Sequence, residues 1–433
     1  MKIAIIGTGF GALAAAFDLS KTKGRQIELI DERSVAGGLA AGFKKENWDW
    51  PLEEHYHHSF TTDKALQQFL LELDLRDQLF YKKAKSSTLY NGQIYQIDSA
   101  SSLLKFKEIS FFSRLRTGIV LAFLKILPNG TFLEKIKASR FLPLTMGQES
   151  WRIIWEPLFV SKFGHFSDEI NLSWFWARVN PRTPALGYFE GGFQRLANLT
   201  VKKLKNLGVK VSLATKVEKI TKKGNKFTLS LVNKNGRRID KQYDLVISTL
   251  VSPDFAKLID LPELKQEKLR GLAAMTMVLS LKKQLLKEGT YWLNVNEKNW
   301  PFVAVVEHDN YISNAHYGGE SIVYLGRYLE ISDKAYHKTA QELLVDYRPY
   351  LKKIDPNFDQ NVIDVKVFKS AFAQPITFVN QSHFLPKFET SVKNLYWVSM
   401  QHVYPFDRGI NHAIASGREL ARYIEKHLKM ENL

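Results

Sequence analysis

Lys2-Ile3-Ala4-Ile5-Ile6 runs into Gly7-Thr8-Gly9-Phe10-Gly11-Ala12, then Leu13-Ala14-Ala15-Ala16-Phe17-Asp18-Leu19, and after a polar break Ile27-Glu28-Leu29-Ile30-Asp31. The order is strand, glycine turn, small-residue helix, strand: a βαβ unit. Gly7 permits the tight turn. Gly9 lets backbone approach a pyrophosphate, and Ala12 is the third small residue, where the helix packs closely on the strand. The helix N-terminus directs partial positive charge at a phosphate. Asp31 lies about 20 residues past the glycines, where a carboxylate accepts ribose hydroxyls. A glycine turn alone is a weak signal. With the strand before it, the helix after it and the acid at this distance, it predicts a dinucleotide site.

Composition sets the outer bounds. A chain of 433 residues, 45% hydrophobic and 12% aromatic, buries a large core in two or three domains. There is no cysteine, which excludes disulfides, thiolate metal sites, Cys nucleophiles and covalent cofactor attachment through Cys. The nucleotide motif begins at residue 3, so no signal peptide is expected and the N-terminus reads as cytosolic. A formal charge of +17 draws the chain to anions: nucleic acid, anionic lipid or a phosphorylated substrate. No helix-turn-helix, RNA-binding or zinc-finger pattern accompanies it, so nucleic acid is not the expected partner. A solvated lysine surface is the bland alternative.

Residues 103–142 favour a membrane surface. Their apolar run from Gly118 to Leu127 is broken by Lys125 and closed by Pro128, too short to span a bilayer. Basic residues spaced through Leu, Phe and Ile suit an interfacial helix pair, and equally an amphipathic helix packed on the core. The expected location is cytoplasmic, with the inner face of the membrane as the surface this segment would contact.

The expected fold is α/β: a Rossmann-like nucleotide-binding domain built from 1–60, 185–251 and 392–433, and an inserted α+β substrate domain from 61–184 and 252–391. A helix is read from Arg195 to Leu207 after Gly191-Gly192, strands over 209–213 and 226–232, and a strand at Leu395-Tyr396-Trp397-Val398 leading to a helix from near Asn411.

A second close-approach turn, Gly37-Gly38, follows Asp31-Glu32-Arg33. With it the chain resembles the flavin amine oxidase, protoporphyrinogen oxidase and phytoene desaturase superfamily. Further phrases extend the resemblance over essentially the whole chain: Gly191-Gly192-Phe193-Gln194-Arg195-Leu196, Gly208-Val209-Lys210-Val211, Val217-Glu218-Lys219-Ile220, Tyr243-Asp244-Leu245-Val246-Ile247-Ser248-Thr249 and Gly409-Ile410-Asn411-His412-Ala413-Ile414-Ala415-Ser416-Gly417. The resemblance implies FAD, held by Gly7, Gly9, Phe10, Gly11, Asp31, Glu32, Arg33, Gly38, Leu39 and Ala40. It implies adenine contact through the Val217 backbone, Thr249 nearby, and the flavin pyrimidine at Gly409, Ile410 and Asn411. The family usually has Gly-Asp or Gly-Glu after the last strand. This chain has Ser399-Met400-Gln401 there, which leaves Gln401 as the candidate phosphate donor.

For the reacting centre, three of the eleven histidines fall in Glu53-Glu54-His55-Tyr56-His57-His58, where the family sets a loop against the flavin. Imidazole suits proton transfer near neutral pH. His57 and His58 are the catalytic candidates, with Arg408 as a holder of an anionic substrate group. Tyr56, Trp174, Trp176, Arg178, Gln374 and Tyr404 are the candidate substrate contacts. A metal site at His55, His57 and His58 with Glu53 or Glu54, or plain structural histidines, are the rival readings; no metal is expected.

The closest look is of bacterial protoporphyrinogen oxidase-like proteins. It implies an FAD-dependent oxidoreductase taking hydride from a bulky, largely apolar small molecule. A UDP-galactopyranose mutase-like isomerase and a non-catalytic, membrane-associated FAD protein are the alternatives. No sequence feature sets the oligomeric state.

Overall fold

The computed structural model describes residues 1–431. Lys2–Ile6 and Gln26–Ile30 are strands joined by the helix Phe10–Ser20. They sit inside a five-stranded parallel sheet whose order is Lys210–Ser212, Gln26–Ile30, Lys2–Ile6, Leu245–Ser248, Leu395–Trp397. Both faces of this sheet are covered, which is why its strands read as unbroken apolar runs. Side chains alternate between the faces with the strand period of two. Ile3 and Ile5 meet the helical side, packing with the helices Phe10–Ser20, Gly192–Asn206 and Ile410–Glu431. Ala4 and Ile6 meet Phe227 and Leu229 of an antiparallel sheet formed by Thr215–Lys223, Lys226–Asn233 and Arg238–Tyr243.

The helix expected from Arg195 begins three residues earlier, at Gly192, because Gly191 turns through φ 77° and starts it there. The fold is thus a Rossmann-like α/β domain with a second, α+β part.

That second part is a seven-stranded mixed sheet. Its order is Val362–Pro375, Gly271–Leu281, Ser321–Leu329, Ala304–Glu307, Thr290–Val295, Lys85–Tyr90, Gln93–Gln96. The helix Ala340–Ile354 packs on it through Leu343, Leu344, Tyr347 and Leu351. A helical layer over 100–179 has its own core around Phe159, Phe163, Trp174 and Phe175.

Within 103–142 the chain forms the helix Phe111–Ile126, followed by a 3-10 turn and the helix Ala138–Met146. Phe111–Ile126 is amphipathic with its apolar side outward. Phe111, Phe112, Leu115, Ile119, Phe123 and Ile126 are all exposed, Phe112 by 76% and Ile126 by 78%. At 100° per residue they fall in an arc of roughly 120°, bordered by Arg116 on one side and Arg114 and Lys125 on the other. Among the described residues no helix is long and apolar enough to cross a membrane.

Candidate functional site

The glycine turn has the form a nucleotide needs. Gly7 has φ 107°, and a Cβ there would lie 2.2 Å from Thr249 Oγ1. Thr249 is itself fixed, its N–H and hydroxyl both donating to Ile6 O at 2.9 and 2.8 Å. Gly9 bridges to Gly37, and Gly38 follows with φ 59°; a Cβ on Gly38 would come within 3.0 Å of Gly9 Cα. A Cβ on Gly9 would meet only Gly38 Cα, at 3.9 Å. The protein's own packing therefore leaves room there for a side chain, and two backbone turns border a space that a pyrophosphate fits. The helix Phe10–Ser20 has no side-chain cap, so its first-turn N–H groups are open to an anion. Phe10 itself is buried in the core on the helical side of the sheet.

Asp31 does more than the ribose role expected of it. Its Oδ2 accepts from Thr8 N–H at 2.8 Å and Thr8 Oγ1 at 2.6 Å, and its Oδ1 from Arg33 N–H at 2.9 Å. It braces the glycine turn and keeps lone-pair capacity for a ligand. Glu32 is exposed. Arg33 pairs with Glu54 and donates to Gly38 O at 3.2 Å. Ala40 is buried in the turn Gly38–Ala40. Val217 is buried in a strand docked on this region by Thr215 N–H to Asp31 O at 2.8 Å.

Gln401 needs correction. Its carbonyl accepts from Ser252 N–H at 2.8 Å, and its amide donates to Ser252 Oγ and Leu269 O at 2.9 and 3.0 Å. Both amide hydrogens are engaged in tying loops together, so Gln401 is not free to hold phosphate.

A cavity of about 210 Å³ opens where the two parts of the molecule meet. Leu39, Gly409, Ile410 and Asn411 form its nucleotide-side wall, and Tyr56, Trp292, Met275, Val303 and Tyr328 line it from the other side. His55, His57 and His58 lie on its wall in irregular backbone, not in a strand. His55 Nδ1 is 2.7 Å from Thr276 Oγ1, His57 Nδ1 is 2.6 Å from His55 O, and His58 Nδ1 is buried without a partner. Burial pulls the His57 imidazole down to about 4, and His55 and His58 to about 3. All three are neutral at pH 7. A neutral His57 whose Nδ1 faces a carbonyl carries its hydrogen on Nδ1, and Nε2 is left as an acceptor. The metal alternative loses its carboxylates. Glu53 accepts from Tyr188 OH at 2.7 Å and Phe193 N–H at 2.6 Å, and Glu54 pairs with Arg33. Among the described residues no group of three His, Asp or Glu is set to hold a metal ion.

Asp407 is the hub of the opposite wall. Its Oδ2 is 2.6 Å from Lys162 Nζ and 3.4 Å from Arg178 Nη1, and its Oδ1 accepts from Gln374 Nε2 at 3.3 Å. Burial favours the acid form, yet Lys162, Arg178 and Arg408 hold the carboxylate far below the usual range. Arg408 donates to Gln374 Oε1 at 2.7 Å and Tyr328 OH at 2.6 Å. Burial would raise the Tyr328 phenol, but Arg408 and Lys162 outweigh it and bring it down to about 8.

Of the sequence candidates, Tyr56, His57, His58, Arg178 and Arg408 gather on the cavity, and Gln374 supports Arg408 from behind. Three do not belong to its wall. Trp176 is 3% exposed in the helical core, its Nε1 donating to Leu127 O at 3.0 Å, while Trp174, 1% exposed, lies behind the charged wall with its Nε1 3.5 Å from Asp407 Oδ1 and its ring under Lys162 and Arg178. Tyr404 turns away, donating to Glu134 at 2.9 Å and accepting from Asn171 Nδ2 at 3.2 Å. The sequence reading missed Lys162, Arg182, Tyr328 and the hub role of Asp407. A lysine set between Phe159 and Phe163 on a buried helical face was the one available signal.

The glycine cradle, the closing helix and the cavity between two parts define an FAD-binding flavoprotein with separate nucleotide and substrate regions. The chain belongs to the flavin containing amine oxidoreductase family, whose model matches residues 13–425. It is 29% identical over 154 residues to 15-cis-phytoene desaturase, chloroplastic/chromoplastic, of Solanum lycopersicum; the match covers 35% of this chain and 24% of that enzyme, well short of two thirds of its length. A provisionally assigned protoporphyrinogen oxidase from Exiguobacterium sp. 255-15 superposes with a TM-score of 0.76 at 15% identity, over 98% of this chain and 99% of its own. Reduced UDP-galactopyranose mutase gives 0.73 at 15% identity, over 98% and 95%.

Proposed function

We propose that the chain is an FAD-dependent oxidoreductase that removes hydride from a C–H or N–H bond of a bulky small molecule with an apolar body, in the range spanned by porphyrinogens, carotenoid-like compounds and amines. The nucleotide region comprises 1–60, 185–251 and 392–433, and the substrate region 61–184 and 252–391. The carrying observation is the cavity shared by the closing-helix N-terminus and an aromatic and imidazole wall. Bound FAD supplies the hydride acceptor. The helix dipole at Gly409–Asn411 favours negative charge there. Tyr56, Trp292 and Met275 enclose the apolar body and exclude water. His57 Nε2, neutral and without a partner among the described residues, accepts the proton released with the hydride. Purified protein should release FAD on denaturation, and anaerobic addition of a substrate should bleach the flavin. Recovery of a nicotinamide dinucleotide with no flavin overturns the reading.

A mutase-like isomerase is the second reading, favoured by the cationic cavity wall, which suits a nucleotide-sugar diphosphate. Net reduction of an external electron acceptor separates the two, since an isomerase passes no electrons on.

The protein is also proposed to sit on an anionic membrane surface through Phe111–Ile126. The apolar arc bordered by Arg114, Arg116 and Lys125 matches an acyl and acidic-headgroup boundary. Residues 103–142 carry eight Lys or Arg against Glu108 and Glu134. Binding to vesicles containing anionic phosphatidylglycerol should fall as salt rises, since screening acts over about 10 Å at 0.1 M. The triple change Phe112→Ser, Ile119→Ser, Phe123→Ser should abolish it with FAD content unchanged. Equal binding to neutral vesicles, no binding to either, or a dimer that the triple change converts to monomer overturns the membrane assignment.

A further inference from the structure

Five cations line the cavity: Lys162, Arg178, Arg182, Arg327 and Arg408. Two carboxylates stand against them, Asp63 and Asp407. Arg327 is drawn outward by Asp333, 3.0 Å from its Nη2. Asp63 accepts from Phe60 N–H at 2.8 Å, and burial pushes its carboxyl up to about 6. Lys162 and Arg178 share the single charge of Asp407. Arg408 has only neutral hydrogen-bond partners, Gln374 and Tyr328. The Arg182 guanidinium has no hydrogen-bond or ion-pair partner among the described residues. The histidines add no positive charge at pH 7, and the walls around these groups are aromatic and aliphatic. Positive charge is therefore in excess along this wall, with Lys162 buried, Arg178 and Arg408 half-buried and Arg182 exposed at the rim. A half-buried charge without a full counter-charge is costly, and a ligand that enters past Arg182 and supplies the counter-charge recovers the cost.

We propose that Arg178 and Arg182, with Arg408 behind them, bind an acidic group of the substrate, a carboxylate or a phosphate, so that this member of an amine oxidoreductase family takes an anion with an apolar body and rejects ammonium ions. The proposal rests on the reading that this cavity holds the substrate. Arg178 is in the last turn of the helix Leu172–Val179, and Arg182 follows just past the turn at 180–181. Both act electrostatically on His58, while Arg408 acts on His57. The acidic group is thus set beside the imidazole wall, with the apolar body directed along Tyr56 and Trp292. A protonated amine in the same place would face the excess positive charge, and Asp407 is already paired. Guanidinium suits the role because it stays charged and offers planar, paired donors to carboxylate or phosphate.

The rim carries a second relation. Lys125, from the exposed helix, donates to Asn180 O at 2.7 Å and to Arg182 O. The anion-binding loop is thereby fastened to the helix with the exposed apolar arc.

The test uses FAD-loaded protein and two probes that share one chain and differ in head charge, decanoate and decylamine. Perturbation of the visible flavin spectrum reports entry into the cavity. Decanoate should bind at least about tenfold more tightly than decylamine. Arg182→Gln should remove most of that preference, about tenfold for a lost charge-assisted bond, and Arg182→Lys should keep part of it. FAD content reports whether each variant folds. Inorganic pyrophosphate as competitor tells phosphate from carboxylate: displacement of decanoate assigns the site to phosphate, and its failure assigns it to carboxylate. Equal or tighter binding of decylamine, or a preference unchanged in both Arg182→Gln and Arg178→Gln, overturns the proposal. No turnover is measured, so its failure is separable from failure of the oxidoreductase reading.

Discussion

A Cβ added to Gly417 would lie 2.1 Å from the carbonyl oxygen of Gly11. The closing helix and the first helix thus cross backbone against backbone beside the nucleotide turn, and Gly11 returns the contact with a Cβ position 3.1 Å from Ala413 O. Gly417→Ala should force the helices apart and cost about 1–3 kcal/mol, the usual range for overpacking. It should also lower the FAD retained per protein, because the N-termini of both helices, which we propose face the cofactor, would move. Gly118→Ala is the control. It is helical with nothing within 4 Å of its Cβ position, and should stabilise by up to about 1 kcal/mol. Urea unfolding and released flavin check both; full FAD content and stability in Gly417→Ala would refute the close-crossing argument.

Asp31 braces the glycine turn through Thr8, so removing its carboxylate should weaken FAD binding by a charge-assisted hydrogen-bond equivalent, roughly 1.5–3 kcal/mol. Thr8→Val deletes only the 2.6 Å hydroxyl donor and should cost less, since Thr8 N–H still reaches Asp31. Flavin titration of the two apo-variants gives the comparison. Unchanged affinity in Asp31→Ala means that the carboxylate neither braces the turn nor meets the ligand.

The glycine cradle was legible because its information is local. Gly7, Gly9, Gly11 and Asp31 lie in one βαβ unit: Gly7 is there for its φ of 107°, Gly11 for the close helix crossing, and Asp31 for a carboxylate that accepts from Thr8 and Arg33. The charged wall was not legible, because it is assembled from afar: Lys162 and Asp407 meet across 245 positions of sequence. Helical periodicity sorts the candidates of one short helix. Trp174 and Arg178, four apart, share the face toward Asp407, with Arg178 over the Trp174 ring at 5.7 Å, whereas Trp176 turns into the helical core. Gln401 matched a family position, but Ser252 and Leu269 had already taken its hydrogen bonds.

His57→Ala should lower the rate of flavin reduction by about 10²-fold or more while leaving FAD bound, the ordinary effect of losing a general base. The pH profile is the sharper check. With its imidazole pulled down to about 4 by burial, His57 stays neutral from pH 8 to pH 5, so the rate should decline only as pH approaches 4. A limb near 6.5, the ordinary histidine value, would mean the base is solvated or is another residue.

Acid should weaken the fold. Burial lowers His55, His57, His58, His308, His402 and His412 to about 3 or 4. The unfolded chain takes up these protons near 6.5 while the folded chain refuses them, so this stability is complete above 6.5 and lost as pH falls toward 4. Asp63, Glu53 and Glu307 run the other way. Burial raises them to about 6, 7 and 8, and their contribution is complete below the ordinary carboxylate range and lost as pH rises through those values. Six groups outweigh three, so the urea midpoint should rise from pH 5 to about 6.5 and then decline gently toward pH 8. A midpoint higher at pH 5 than at 6.5 contradicts the burial of the histidines.

Tyr328 offers a spectroscopic reading of the same cavity. Arg408 donates to its oxygen at 2.6 Å and lies over its ring at 5.1 Å, and Lys162 lies 5.5 Å from the ring. Two cations favour the phenolate more than burial opposes it, which brings the phenol to about 8 against an ordinary value near 10. The difference in near-ultraviolet absorbance between wild type and Tyr328→Phe should therefore show one phenolate appearing with a midpoint near 8. Arg408→Leu removes the larger electrostatic cause and should move that midpoint upward, with Lys162 alone left to oppose burial. An acidic ligand in the cavity should also raise it, by partly neutralising the same cations. If the titration near 8 survives in Tyr328→Phe, the phenolate belongs to another tyrosine; if it survives unchanged in Arg408→Leu, the charge on this wall is not what sets it.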